Sequence, residues 1–314
     1  MGDFRALLLL TAALVIYMVV AEDGQAPVIK TSTGFISGVR TSIGGKDVDI
    51  YLGIPYAQPP IGLLRFAKPV PATPWNGTYA AVEKPKPCPQ NTHYHTDEVS
   101  FYYTNHSEDC LHLNVRKPAS VCKEDSCGSM RLPVVVFVHG TDFQWGDSGL
   151  YLHDGGNFAA LTDTIFVSFN YRLNVFGFLS VGNRDLPGNW GLWDQNLALT
   201  WVQRNIGYFG GDPKEVTVIG HGAGAISAGF HAISPQSVGL FKRLVLLSAW
   251  FRASHGDDLA FYLGSLVFLG DEGKFIPGIR EDDYDRFKQL KFTAEEEKFM
   301  RAMVTSMSQF VKTG

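Results

Sequence analysis

Short, nearly continuous apolar runs alternate with longer segments of mixed polarity through the middle of the chain. Four of these runs are residues 133–139, 164–170, 216–220 and 244–247. Largely apolar runs rich in β-branched residues are typical of parallel strands that are covered on both faces. Between the last three runs, residues 192–206 and 223–231 predict crossover helices. The pattern therefore predicts an α/β fold, with a mostly parallel twisted sheet and helices on both faces.

The two ends of the chain carry different apolar patterns. A run from Ala6 to Val20 is followed by small residues up to Ala21, which predicts a signal peptide over residues 1–21. That run is shorter than the about 20 apolar residues a bilayer requires, and no later run comes close. We expect a secreted protein without a membrane span after cleavage. Near the other end, Thr293 and Glu296 form a capping box ahead of an amphipathic helix that reaches Val311.

Composition narrows the classes of function. The 314 residues carry 27 Lys and Arg against 31 Asp and Glu, a net charge of -4. Because nucleic-acid partners require clustered positive charge, we exclude them. The pattern calls for no cofactor and no metal. Two glycosylation acceptors, at Asn76 and Asn105, agree with an extracellular location.

Four cysteines are expected to be oxidised in a secreted chain, and four can pair in three ways. The sequence favours Cys88 with Cys110, and Cys122 with Cys127. The second pair lies in a polar stretch typical of a surface loop closed on itself. Its alternative is two free thiols or a chance zinc pair.

Gly220-His221-Gly222-Ala223-Gly224 has the form G-x-S-x-G with glycine at the centre. In serine hydrolases this pattern places a nucleophilic serine on a sharp strand-to-helix turn. An apolar run before it and a small, apolar segment after it fit that context. The alternative is a plain glycine-rich turn, and the five residues alone do not decide between the two.

A series of motifs in a fixed order along the sequence decides between these two interpretations of the turn. Residues 51–60, 64–66 and 107–115 are followed by Asn170-Tyr171-Arg172, by residues 176–179 and 188–202, and by Phe209-Gly210-Gly211-Asp212-Pro213. In this order they resemble the type B carboxylesterase and cholinesterase family. The resemblance implies an α/β-hydrolase fold. It also implies structural ion pairs of Glu108 with Arg65 and of Asp194 with Arg172.

The resemblance assigns the parts of a catalytic site, and several are altered. The nucleophile position is Gly222, which has no atom that can attack a carbonyl. The family's oxyanion motif H-G-G-G-F corresponds to His139-Gly140-Thr141-Asp142-Phe143, and its donors would be at positions 140–142 and at Ala223. Bulk at Thr141 and Asp142 limits the approach of a carbonyl, and a carboxylate has the wrong charge beside an oxyanion. His221 replaces the family's usual acidic residue, as a packing or surface substitution.

The segment that begins Ser254-His255-Gly256 resembles the one that carries the family's catalytic base, His255 here. In the family a long stretch separates this histidine from the strand that ends near Ser248, whereas here six residues do. We therefore expect residues 22–314 to form one incomplete domain with an internal deletion near 249–254, without the last sheet strands and the triad acid. His255 is then better interpreted as a loop histidine than as a base.

Three hypotheses follow. The first is a secreted, catalytically inactive member of the family that acts by binding an extracellular protein or a small apolar ligand. The second is a weak carboxylic ester hydrolase with an improvised nucleophile. The third is a non-functional product of a deleted gene, or an incomplete gene model. The sequence favours the first.

Overall fold

A computed structural model describes residues 24, 26–90, 105–120, 131–150, 153–247 and 312. Its strands are β1 Ile29–Thr31, β2 Gly34–Ser37, β3 Val39–Ile43, β4 Lys46–Pro55, β5 Thr78–Ala80, β6 His112–Pro118, β7 Leu132–Val138, β8 Ile165–Phe169, β9 Gly211–His221 and β10 Arg243–Leu247. Its α-helices are α1 Gly156–Thr162, α2 Asn174–Phe178, α3 Trp190–Asn205 and α4 Ala223–Ile233. Short 3₁₀ turns occupy Gly62–Leu64, Ile206–Phe209 and Pro235–Ser237.

Seven strands form the main sheet, in the order β10-β9-β7-β8-β6-β4-β3. The strands β10, β9, β7 and β8 pair in parallel, and they are the four apolar runs of the sequence. The helices α3 and α4 occupy the two predicted crossovers. The predicted α/β class is therefore confirmed. A smaller sheet joins β1, β2 and β5.

The other half of the main sheet is antiparallel, with pairs β8–β6, β6–β4 and β4–β3. The apolar pattern did not predict these strands because buried polar residues interrupt it. Asp49 in β4 and Arg116 in β6 are both buried. Each has a charged partner: Asp49 lies 2.6 Å from Arg40, and Arg116 lies 2.8 Å from Asp154. Buried charges are tolerated when they are paired in this way.

The helices cover both faces of the main sheet, because alternate residues of a strand point to opposite faces. Val134, Val136 and Val138 of β7 belong to a core cluster with Leu199 of α3 and Ala228 of α4. The intervening residues Val135 and Phe137 belong to a second cluster with Phe158 and Ala159 of α1. At one edge, β10 pairs with β9 and with no other described strand.

A disulfide joins Cys88 to Cys110, with a Cα–Cα distance of 5.1 Å. This confirms the first predicted pair. Cys122, Cys127, His255, the predicted signal peptide, the predicted deletion near 249–254 and the predicted helix after Thr293 lie outside the described residues. Within the described ranges, no helix is long and apolar enough to cross a membrane.

Candidate functional site

Gly222 is the single residue between β9 and α4, on the predicted strand-to-helix turn. Its backbone has φ 55° and ψ -120°. Its amide donates to the carbonyl of Leu247 (2.9 Å), and its carbonyl accepts from the amide of Ala225 (3.0 Å). A side chain with a Cβ is strained at this positive φ, and glycine is not. The end of β10 and the first turn of α4 thus hold the turn in a conformation that suits the residue present.

Three other glycines bring the backbones around this turn into direct contact. A Cβ on Gly220 would overlap the carbonyl of Gly224, and a Cβ on Gly224 would overlap the carbonyl oxygen of Val138. A Cβ on Gly140 would overlap the amide nitrogen of Gly224 and lie 2.7 Å from the amide nitrogen of Ala223. The predicted oxyanion positions Gly140 and Ala223 therefore lie side by side.

The loop that follows Gly140 is held by its own hydrogen bonds. The hydroxyl of Thr141, a buried residue, donates to the carbonyl of Trp145 (2.5 Å). The backbone amide of Asn174 donates to the carbonyl of Phe143 (2.9 Å). Asp142 and Phe143 have positive φ values of 53° and 60°, and Asp142 is exposed. Of the two altered positions, Asp142 therefore has a backbone conformation that favours glycine.

A stack of aromatic rings lies next to this loop. The ring of His139 packs 4.6 Å from the ring of Tyr171 and 5.8 Å from the ring of His153. The hydroxyl of Tyr171 donates to the backbone carbonyl of His139 (2.8 Å). Neither ring nitrogen of His139 has a hydrogen-bond partner among the described residues. Burial, with a contribution from His153, holds the pKa of His139 well below its ordinary value. His139 is therefore neutral at pH 7.

The histidine and the serine close to the turn are both buried. His221 is 2% exposed, so it is a core residue rather than a surface residue. Ser227 lies in α4, more than one helical turn after Gly222, and its hydroxyl donates to the carbonyl of Ala223 (3.0 Å). Neither side chain replaces the missing hydroxyl on the turn. Ser248 lies outside the described residues.

Both predicted ion pairs are formed in the structure. Arg172 lies with two nitrogens 2.7 Å from the two carboxylate oxygens of Asp194, and it also donates to the carbonyl of Ala67 (2.8 Å). Both of these charged side chains are buried, and burial raises the pKa of Asp194 despite the adjacent guanidinium. Arg65 and Glu108 form two bonds of 2.6 Å that are partly open to solvent.

A network of hydrogen-bonded side chains beside α4 was not identified from the sequence. The ring of His231 bonds to Ser237 through Nδ1 (2.8 Å) and to Gln195 through Nε2 (3.0 Å). Gln195 in turn donates to the hydroxyl of Ser227 (3.1 Å). Burial lowers the pKa of His231 to about 4. No local sequence motif indicates this network, because Gln195 and His231 are 36 residues apart.

Asn76 and Asn105, the predicted glycosylation acceptors, are both exposed. In the described part of the chain, no group of three or more His, Cys, Asp or Glu side chains is arranged to hold a metal ion.

A sheet with parallel strands, helices on both faces and a glycine-packed turn from β9 to α4 defines an α/β-hydrolase. The model of the carboxylesterase family matches residues 25–252. The chain is 44% identical over 227 residues to the cholinesterase of Mus musculus and 42% identical over 231 residues to carboxylesterase 5A of Canis lupus familiaris. It is 41% identical over 250 residues to acetylcholinesterase-1 of Trittame loki.

These alignments cover 70%, 71% and 78% of this chain, respectively. They cover 36%, 39% and 44% of the three relatives, so the chain spans less than half the length of each. The chain belongs to the carboxylesterase family.

Proposed function

We propose that this chain is a secreted member of the carboxylesterase family that does not hydrolyse esters and acts by binding an extracellular protein or a small apolar ligand. The observation that carries the proposal is the residue on the turn between β9 and α4. Gly222 has the backbone conformation of the turn and no side chain. Without a hydroxyl at this point, no covalent acyl intermediate forms there.

The described serines that lie closest to a histidine or to the turn do not substitute for it. Ser237 lies 2.8 Å from His231, but it is only 3% exposed. Because burial lowers the pKa of His231 to about 4, its imidazole is a weak acceptor for the proton of a serine. Ser227 is buried within α4 and its hydroxyl is committed to a backbone carbonyl.

The loop after Gly140 supports the same proposal. Thr141 and Asp142 replace two glycines of the family's oxyanion motif, and hydrogen bonds of Thr141 and Phe143 fix the loop on both sides of Asp142. A carboxylate at Asp142 opposes the development of negative charge nearby. Loss of an oxyanion donor costs on the order of 10²- to 10³-fold in rate, and loss of the serine on the order of 10⁶-fold.

Three observations support secretion. The first 21 residues have the pattern of a signal peptide. Cys88 and Cys110 form a disulfide, a bond typical of oxidising compartments. Asn76 and Asn105, the two glycosylation acceptors, are exposed and accessible to modification.

The decisive experiment treats the purified full chain with a fluorescent fluorophosphonate and, separately, with p-nitrophenyl acetate. We expect no stoichiometric labelling and no hydrolysis above that of a heat-denatured sample. One label per chain would show that an active nucleophile is present, and the proposal would then be wrong.

Gly222→Ser is the matched variant. A serine at φ 55° costs about 1–3 kcal/mol of folding free energy, so its thermal unfolding is measured first. We expect a folded variant that is still inactive, because Thr141 and Asp142 remain. Strong labelling of this variant alone would show that the missing hydroxyl is the sole defect.

A further inference from the structure

A cavity of about 390 Å³ lies between the beginning of α3, the end of α4 and the turn that follows α4. Its apolar wall consists of Leu192, Trp193, Phe230 and Ile233. It is separate from the turn at Gly222, whose neighbours do not line it. Its volume is in the range of small-molecule sites, and such sites combine apolar walls with a few oriented polar groups.

The polar side of the cavity is fixed by the network of hydrogen-bonded side chains that ends at Ser237. The oxygen of Gln195 accepts from Nε2 of His231, which leaves Nδ1 to accept the hydroxyl proton of Ser237. Asn196 donates both hydrogens of its amide nitrogen, one to the hydroxyl oxygen of Ser237 (3.0 Å) and one to the carbonyl of Gln236 (3.0 Å). The donors of Asn196 and Ser237 are therefore all used.

What remains on the Asn196 side chain is its carbonyl oxygen, which is an acceptor. The Asn196 oxygen can therefore accept a hydrogen bond from a ligand donor. The polar part of the lining is completed by Asn189, Ser234 and Gln236. The walls favour a ligand with an aromatic ring, because Trp193 and Phe230 offer aromatic surface. Lys68 already lies 3.6 Å from the centre of the Trp193 ring, which disfavours a cationic ligand near that ring.

We propose that this cavity binds a small, uncharged aromatic molecule that carries one hydrogen-bond donor, such as a phenol. The inference rests on the proposed function, since it names the ligand class and location for a protein that acts by binding. It assigns the walls to recognition of the ring and Asn196 to recognition of the donor.

The probe is 1-naphthol, titrated into the full chain by calorimetry, with naphthalene as the analogue that lacks the donor. We expect one site for 1-naphthol and binding of naphthalene that is weaker by about tenfold, the effect of one hydrogen bond. Equal binding of the two would overturn the role of Asn196. The absence of 1-naphthol binding would overturn the site.

Two variants on α4 locate the binding. Ile233→Trp fills the cavity from a residue that is 80% exposed, so folding is preserved. Ile226→Trp is the matched control, on the same helix and 55% exposed but outside the lining. We expect about tenfold weaker binding for the first variant and unchanged binding for the second. Equal effects would place the probe elsewhere on the apolar surface.

The same preparations are assayed with p-nitrophenyl acetate. Hydrolysis by the wild-type chain would disprove the proposed lack of catalysis without affecting the binding result. Failure of Ile233→Trp to weaken binding in an inactive chain would disprove the cavity alone.

Discussion

Two groups of residues in the candidate site are held in different ways. The first, called the frame, consists of Gly140, Gly220, Gly224 and the buried pair Arg172–Asp194. The second, called the rim, consists of Gly222, Thr141, Asp142 and Phe143. Each frame glycine lies where a Cβ would meet backbone, whereas Thr141 and Phe143 accept hydrogen bonds at their backbone carbonyls, which do not depend on the side chain.

The difference shows that neighbouring residues of one site are restricted by different physical effects. The frame is restricted by steric overlap and by the cost of an unpaired buried charge. The rim is restricted by backbone conformation, since Gly222, Asp142 and Phe143 have positive φ values. Thr141, Asp142 and Gly222 differ from the family's motifs, whereas Gly140, Gly220 and Gly224 match them.

The largest expected effect comes from removing one charge of the frame. Arg172→Met leaves Asp194 fully buried without the guanidinium that bonds both of its oxygens. We expect the free energy of unfolding to fall by about 3–5 kcal/mol, measured by urea denaturation. The control is Arg65→Met, which breaks the partly exposed pair with Glu108 and should hardly move the midpoint. Equal losses would show that burial does not separate the two pairs.

The next effect concerns a glycine contact of the frame. In Gly224→Ala the new Cβ meets the carbonyl oxygen of Val138, so we expect a loss of about 3 kcal/mol in unfolding free energy. Gly229→Ala, in the same helix, has no neighbour within 4 Å of the new Cβ and should gain about 1 kcal/mol. A gain in both variants would mean that the frame tolerates side chains.

The last prediction concerns acid, which acts gradually on two buried histidines and has the smallest effect near pH 7. Burial lowers the pKa of His139 in the fold, and lowers that of His231 to about 4, from an ordinary value of 6.5. Below pH 6.5 the unfolded chain therefore binds more protons than the folded chain. Stability is fully present above that pH and declines as the pH falls toward 4, because protonation of both histidines is easier in the unfolded chain.

Thermal midpoints between pH 7.5 and 4.5 check this prediction. In His139→Phe, which retains an aromatic ring in the stack with Tyr171, the decline should be less steep. The slope is compared rather than the midpoint, since the larger ring changes packing. A midpoint that does not change with pH would contradict the assignment of neutral buried histidines.

The sequence predicted the parallel half of the sheet and the position of Gly222, because both depend on local patterns. Each parallel strand is a short apolar run, and the turn is a five-residue motif. The strands β4 and β6 were missed because buried Asp49 and Arg116 interrupt their apolar pattern, and tertiary pairing compensates for these charges. The disulfide of Cys88 with Cys110 belongs to the pairing that the sequence favoured among three possibilities for a secreted chain.

The cavity and its network of hydrogen-bonded side chains could not be predicted from local sequence patterns. Gln195 and His231 meet only after α3 and α4 pack on the same face of the sheet. The ring stack beside the loop likewise combines His139, which follows β7, with Tyr171, which follows β8. Contacts of this kind depend on the relative position of elements, which a linear pattern does not encode.

The disulfide between Cys88 and Cys110 has a consequence for cleavage of the chain. It closes a loop between β5 and β6, two strands that belong to different sheets. If an extracellular protease cut a peptide bond between the two cysteines, the N-terminal piece would remain covalently attached to the rest. Such a nicked protein would run as one species in electrophoresis until a reducing agent separated the two fragments.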